Sequence, residues 1–379
     1  MVAQKKILHL SMDDKFTDMA LYYFELLQPN TNTLVVYTDK QPKFIKTNSV
    51  WVNKRNIFGK INIDDYDLVI LHSLSTVWFN FIKKLPKNIP IVWIGWGYDY
   101  YDLLPQKLLL DKTIKISTGN EGLFNFFSCI KKIIKKILFL NQPNKKEIIE
   151  RIDYFAPVLE SEYTMIKQAL NFRRFPEYIF FNYGSLEKNL IKNFNKKIVN
   201  GNNILVGNSA TDTNNHIEIF DLLNTLVLDD STKIICPLSY GNETYKKNII
   251  NIGNNMLGER FDPLVEFMDI DDYISKIISC KVVIMNHVRQ QAFGNIITML
   301  YLGAKVFLRE ENPIYIFLKN KDAIIYSIHD LEINNNLIHE KLTDSDILKN
   351  QNILRDFISE DATIEKTRKI IALSKGKIK

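Results

Sequence analysis

The sequence predicts an α/β protein of two units, each a mostly parallel sheet covered by helices on both faces. Three observations lead there. Short apolar, β-branched runs alternate with longer segments whose apolar residues recur at helical spacing. A polar stretch, 184–203, with six Asn and four Lys interrupts the alternation, which then restarts. The length of 379 residues is enough for two domains of ordinary size. The expected layout is a first unit at 1–184, a linker at 185–202, a second unit at 203–345 and C-terminal helices at 346–379.

Taken in order, Lys6–Leu10 is a strand ending at Ser11-Met12-Asp13-Asp14, and Phe16–Leu27 is a helix with Met19, Tyr22, Tyr23, Leu26 and Leu27 on one face. Thr33–Tyr37 and Leu68–His72 are strands. Thr76–Leu85 is a helix stopped by Pro86, and Pro90–Ile94 is a strand. Arg151–Leu159 is a strand, Glu160–Leu170 a helix and Glu177–Tyr183 a strand. In the second half, Asn203–Val206 and Thr232–Pro237 are strands, with a helix near 214–226 between them. The helix Glu243–Leu257, the strand Asp262–Met268 and the acidic-started helix Asp269–Ile278 follow. Lys281–Met285 is a buried strand, 293–302 a helix stopped by Gly303, and Ala304–Leu308 the next strand. Ala323–Tyr326 is the last strand, before helices at Ile347–Ile358 and Ala362–Ser374.

Composition narrows the class. Cys129, Cys236 and Cys280 are few, far apart and odd in number, so they form neither a disulfide framework nor a zinc pattern, and a reducing cytoplasm fits. Val2–Leu10 is too short for a secretory signal, and no apolar run approaches the roughly 20 residues of a spanning helix. The net charge of +6 is mild. It is concentrated at 127–140, where Ile130, Ile133, Ile134, Ile137 and Leu138 form a helical stripe flanked by Lys131, Lys132, Lys135 and Lys136. Such a helix can lie on an anionic membrane surface, its stripe toward the acyl chains and its lysines on the headgroups. It can equally pack on a core. No nucleic-acid motif accompanies the lysines.

Candidate chemistry lies in the loops after strands. In a parallel sheet, ligands sit beyond the carboxyl ends of the strands, and Asp13, His72 and Asp99 all follow one. The loop 95–101 combines Trp96, Tyr98, Asp99, Tyr100 and Tyr101, suited to stacking on sugar faces and bonding sugar hydroxyls. Gly207-Asn208-Ser209 precedes a helix and offers backbone donors. The stretch 281–313 reads strand, polar loop, helix, strand, acidic loop. Free N–H groups at its helix start, with Arg289 beside them, suit a phosphate, and a carboxylate after the next strand suits sugar hydroxyls.

These residues also resemble a family. Val206-Gly207-Asn208-Ser209, Pro237-Leu238-Ser239-Tyr240-Gly241, Arg289-Gln290-Gln291-x-x-Gly294, Arg309-Glu310-Glu311-Asn312-Pro313 and Trp96-Gly97-x-Asp99-x-Tyr101 resemble the TDP-N-acetylfucosamine:lipid II N-acetylfucosaminyltransferases, glycosyltransferase family 56. The resemblance implies the GT-B fold, with two Rossmann-like domains whose sheets face a cleft. It implies transfer of a deoxyamino sugar from a dTDP-sugar to a polyprenyl-diphosphate-linked saccharide at the inner face of the cell membrane, with no cofactor and no bound metal. Arg289 and the 292–296 backbone would then hold the departing diphosphate, with Asn208 and Ser209 lining it, and Glu310 or Glu311 would hold the ribose. Tyr240, Asn286, Gln290, Gln291, Gly294, Asn295 and Asn312 complete the donor side. Trp96, Tyr98 and Tyr101 would take the acceptor, and Asp13 or Asp99 its hydroxyl proton if the enzyme inverts. The two glutamates of many retaining GT-B enzymes have Gln291 and Thr298-Met299 in their places. A UDP- or GDP-sugar transferase for lipopolysaccharide, capsule or protein glycans, and a non-catalytic carbohydrate- or lipid-binding protein, remain the alternatives.

Overall fold

The computed structural model describes residues 5–117, 144–194 and 198–374. Residues 5–105, 144–189 and 358–374 form one compact unit, and residues 106–117, 190–194 and 198–357 the other.

The first unit carries a seven-stranded sheet of β1 (Ile7–Met12), β2 (Asn32–Tyr37), β3 (Val50–Val52), β4 (Leu68–His72), β5 (Ile91–Ile94), β6 (Tyr154–Ala156) and β7 (Glu177–Tyr178), ordered β3-β2-β1-β4-β5-β6-β7. Every pairing is parallel. Helices cover the sheet, so its central strands are buried and mostly apolar: all five residues of β4 are buried, His72 among them. The second unit repeats the plan with β8 (Asn203–Val206), β9 (Ile234–Pro237), β10 (Phe261–Leu264), β11 (Cys280–Met285), β12 (Lys305–Leu308) and β13 (Tyr326–Ser327), ordered β10-β9-β8-β11-β12-β13 and again parallel.

Both orders contain a switch point. The chain runs outward from β1 through β2 to β3, then returns to β4 on the other side of β1. It does the same from β8, returning at β11. Helices that leave on opposite faces open a crevice at such a point, beyond the strand ends. The crevice-forming loops therefore follow β1 and β4 in one unit, and β8 and β11 in the other.

The units depart from the expected boundaries. The helix Glu360–Ala372 packs against the helix Thr17–Leu27, and Ile370 and Ile371 share a core with Ile7, Phe24 and Leu68. The end of the chain thus completes the first unit. Residues 106–117 join the second, where Thr113 bonds Glu218 through its backbone N–H (2.9 Å) and hydroxyl (2.7 Å). The expected linker is not a solvated tether: Leu186, Ile191 and Phe194 are buried, as apolar residues among Asn and Lys favour. Of the strand expected at 177–183 only two residues pair, and β3 and the helix Pro313–Lys319 were not expected. No helix among the described residues is long and apolar enough to cross a membrane.

Candidate active site

In the second unit, the loop after β8 opens on Gly207 at φ +67°. A Cβ there would lie 2.5 Å from His216 Nε2 and 2.8 Å from Asn214 Oδ1, so only glycine fits. Asn214, itself buried, shapes the loop. Its Nδ2 donates to the carbonyls of Ser209 and Thr211, both at 3.0 Å, and its Oδ1 accepts from the Asn208 N–H at 2.9 Å and His287 Nε2 at 2.8 Å. The amide oxygen requires a proton on His287 Nε2, and burial holds the ring's pKa well below the usual value, which favours the neutral form.

Gln291 ties this loop to the one after β11. Its Oε1 accepts from Thr213 Oγ1 at 2.7 Å, and its Nε2 donates to Asn208 Oδ1 at 2.9 Å and Thr211 Oγ1 at 3.2 Å. Asn208 Nδ2 donates in turn to the Tyr240 hydroxyl at 3.0 Å, after β9. One chain of amides and hydroxyls thus fixes loops from three strands.

The helix Phe293–Tyr301 starts beyond Gln291, after Ala292 in the left-handed region (φ +59°). The N–H groups of its first turn have no carbonyl four residues back, and the helix dipole makes this end electropositive. Gly294 leaves that turn open, since a Cβ there would meet only Leu190 Cδ2, at 3.6 Å. Arg289, half-buried, stands just before it in the chain. After β12, Arg309, Glu310 and Glu311 line a cavity of about 220 Å³ with Ile328, His329 and Glu332. Arg309 Nε donates to Glu311 at 2.6 Å, and its Nη1 to Asn286 Oδ1 at 3.3 Å. This unit can therefore receive an anion at a helix start and hydroxyls on exposed carboxylates.

In the first unit, the loops after β1, β4 and β5 meet. The Trp96 indole N–H donates to the Tyr183 hydroxyl, and the Tyr98 hydroxyl donates to Ser73 Oγ at 2.8 Å. Phe16 sets its edge on Trp96 at 5.0 Å. Phe16 and Tyr98 are 43% and 57% exposed, which makes an aromatic patch with hydroxyls at its base. Asp14, two residues before Phe16, carries a charge that helps raise the pKa of both Tyr98 and Tyr183, where burial is the larger cause.

The family model of 4-alpha-L-fucosyltransferases, glycosyl transferase group 56, matches residues 161–360, more than half of the chain. The chain belongs to that family. This group 56 chain is accordingly a glycosyltransferase of the hexosyl-transferring kind. Solved structures resemble it over nearly its whole length. An alpha-glucosyltransferase in complex with UDP aligns at 12% identity and a TM-score of 0.59, covering 97% of this chain and 99% of that one. HepE from Anabaena, in complex with UDP and glucose, aligns at 12% identity and 0.62, covering 97% and 98%. Sucrose-phosphate synthase from Thermosynechococcus elongatus aligns at 9% and 0.61, covering 97% and 98%. The expected GT-B fold, two Rossmann-like units with parallel sheets, is the fold observed.

The residues singled out in the group 56 sequence lie in segments that follow strands, and their side chains differ in state. Tyr240, Gly294, Asn295, Glu310 and Glu311 are wholly or partly exposed, whereas Asn208, Ser209, Asn286, Gln290, Gln291 and Asn312 are buried. Asn312 donates to the carbonyls of His287 (2.8 Å) and Arg289 (3.1 Å) and caps Ile314 N–H. Asn286 binds the Asn215 carbonyl at 2.9 Å. Asn312 spends its amide on the backbone, and Asn286 divides its own between the backbone and Arg309. Tyr101, expected to take acceptor, is buried against Tyr100. Asp13 accepts the N–H groups of Lys43 (2.6 Å), Phe44 (2.9 Å) and Ile45 (3.2 Å). Burial pulls its pKa up, but those bonds and Lys46 outweigh it and hold the carboxyl below its usual range. Asp99 is 4% exposed and accepts from Leu74 N–H, Trp93 Nε1 and Trp96 N–H at 2.7–2.8 Å, with burial raising its pKa against those donors. Asp99 is thus shut away from solvent, and three N–H donors bias Asp13 toward its ionised form. His72 is buried and bonded to His9 at 3.0 Å. Lys131, Lys132, Lys135 and Lys136 lie outside the described residues. Sequence reading missed Asp14, Ser73, Thr213 and Asn214. Only Asp14 left a trace, as the centre of Ser11-x-x-Asp14-x-x-Thr17.

Proposed function

We propose that this group 56 enzyme moves a deoxyamino sugar of the 4-acetamido-4,6-dideoxyhexose type from a dTDP-sugar to a polyprenyl-diphosphate-linked saccharide at the cytoplasmic face of the cell membrane. The observation that carries the donor half is the open first turn of the helix Phe293–Tyr301, at the sheet's switch point and next to Arg289. Negative charge grows on the diphosphate as the sugar leaves it. Donors fixed in advance stabilise that charge more in the transition state than in the ground state. Glu310 and Glu311 take the ribose hydroxyls, Tyr240 lines the donor, and no cofactor enters the scheme. Trp96 and Tyr98 hold the acceptor saccharide by stacking and hydroxyl bonds.

The dTDP base and the lipid-linked acceptor rest on the motif resemblance and on the lysine-flanked stripe at 130–138. A UDP-sugar is the second reading, favoured by the UDP held in the HepE and alpha-glucosyltransferase structures. Thermal shift against dTDP, UDP and GDP decides, because a ligand at a hundred times its Kd stabilises the native state by about 2.7 kcal/mol. The largest shift is expected with dTDP. A larger one with UDP or GDP removes the proposed donor. For the membrane, replacing Lys131, Lys132, Lys135 and Lys136 with Glu is expected to release the protein from anionic vesicles, and undiminished binding counts against that surface.

A further inference from the structure

We propose that Asp14 is the catalytic base, the group that takes the proton from the acceptor hydroxyl; this rests on the transfer reaction proposed above. Asp13, Asp14 and Asp99 all follow strands in the first unit, and their partners separate them. Asp13 and Asp99 accept only from N–H groups. N–H donors favour the ionised carboxyl, and unlike hydroxyls they cannot turn to accept from a protonated one.

Asp14 has a different shell. Its Oδ1 accepts the N–H groups of Phe16 and Thr17, both at 2.8 Å. Its Oδ2 meets two hydroxyls, Ser11 Oγ at 2.8 Å and Thr17 Oγ1 at 2.7 Å. Hydroxyls rotate and can accept as well as donate. Ser11 Oγ also lies 2.7 Å from the Met12 carbonyl. The network therefore has two complete arrangements. With Asp14 ionised, Ser11 donates to it. With Asp14 protonated, Ser11 turns its proton to the Met12 carbonyl and its oxygen accepts from Asp14. The carboxyl can cycle between states without stranding a donor. Position agrees: Asp14 follows β1 at the switch point, is half-buried, and stands two residues before Phe16, whose ring meets Trp96. Burial also raises its pKa, which strengthens it as a base.

In the step, the acceptor O–H bond breaks and its proton passes to Asp14 Oδ2. The acceptor oxygen forms a bond to sugar C1. The bond from C1 to the diphosphate oxygen breaks, and its electron pair leaves with the nucleoside diphosphate. Asp14 then returns the proton to solvent.

The test is Asp14→Asn. Its Oδ1 can keep both N–H bonds while its Nδ2 faces hydroxyls that can rotate to accept, so the fold is expected to persist. The assay compares the unmutated and D14N proteins for sugar transfer, for nucleotide binding by thermal shift and for melting temperature. The expected result is unchanged melting and nucleotide binding with transfer at least 100-fold slower, in line with loss of a general base. Transfer within threefold of the unmutated rate overturns the proposal. So does loss of nucleotide binding or folding, which would make Asp14 structural. No transfer by the unmutated protein sinks the reaction itself, and the need for a base with it.

Discussion

Asn215 and Asn286 hold each other by their main chains: Asn286 Nδ2 donates to the Asn215 carbonyl at 2.9 Å, and Asn215 Nδ2 to the Asn286 carbonyl at 3.2 Å. Asn215 sits in the left-handed region (φ 49°, ψ 49°), which Asn tolerates better than most residues. The same side chain accepts from Leu110 N–H at 2.8 Å and donates to the Leu108 carbonyl at 3.2 Å. One residue thus fastens the loops after β8 and β11 to the segment before the helix Asp111–Ser117. N215A is expected to lower stability by about 2–4 kcal/mol, from buried bonds lost at 1–3 kcal/mol and left-handed strain of about 1 kcal/mol. N215G escapes the strain and should lose about 1 kcal/mol less. Urea unfolding followed by circular dichroism measures both, and equal losses would deny the strain.

Gly207 and Gly294 should respond oppositely to alanine. At Gly207 the methyl meets His216 and Asn214 within 2.8 Å at a positive φ, so G207A should lose roughly 2–4 kcal/mol through strain and overpacking. At Gly294 it meets only Leu190, at 3.6 Å, in a helix where alanine is favoured, so G294A should melt no lower. The methyl would nonetheless stand over the first-turn N–H groups, and nucleotide affinity is expected to fall at least tenfold. Intact affinity in G294A would move the diphosphate elsewhere.

Tyr98 and Tyr101 show how far sequence alone could go. They lie three residues apart in one aromatic loop, yet Tyr98 is exposed and Tyr101 buried. Y101A should destabilise by about 3–5 kcal/mol, as large aromatic truncations in cores do. Y98A should leave stability nearly unchanged and raise the acceptor KM. A KM unchanged in Y98A would remove that ring from the acceptor site.

The alternation of strands and helices was legible because parallel strands buried on both faces are written as unbroken apolar runs, as at Leu68–His72 and Val282–Met285. β3 was not, since three residues show no period. The helix Pro313–Lys319 left only its Asn-Pro start. In the site, the loops were legible and the loyalties of their side chains were not. Asn286 and Asn312 looked like ligand contacts because they are polar and follow strands, yet both satisfy backbone groups. Asp13 and Asp14 are adjacent in sequence, and only the fold shows that one binds N–H groups alone and the other two hydroxyls as well.

Buried histidines should make stability depend on pH near neutrality. His9, His72, His216 and His287 are all buried, and burial lowers each pKa, to about 4 for His9 and about 3 for His216. The unfolded chain binds protons on these rings below about pH 6.5, whereas the folded chain refuses them until near pH 4 or lower. Unfolding therefore takes up protons in that window. Stability is full above about pH 7 and falls as the solution is acidified. Each ring contributes about 1.4 kcal/mol per pH unit once its unfolded form is fully protonated, and less near pH 6.5, so His9 and His216 together should lose roughly 3 kcal/mol between pH 6.5 and 5. Asp14 and Asp99, raised by burial, work in the opposite direction, because their folded forms bind protons more readily than their unfolded ones. The measurement belongs between pH 7.5 and 5.5, where the unfolded rings take up their protons. Urea midpoints there should fall with acid, and H216Q should flatten the slope by close to one proton. A midpoint independent of pH across that range would mean that the rings are charged in the folded protein.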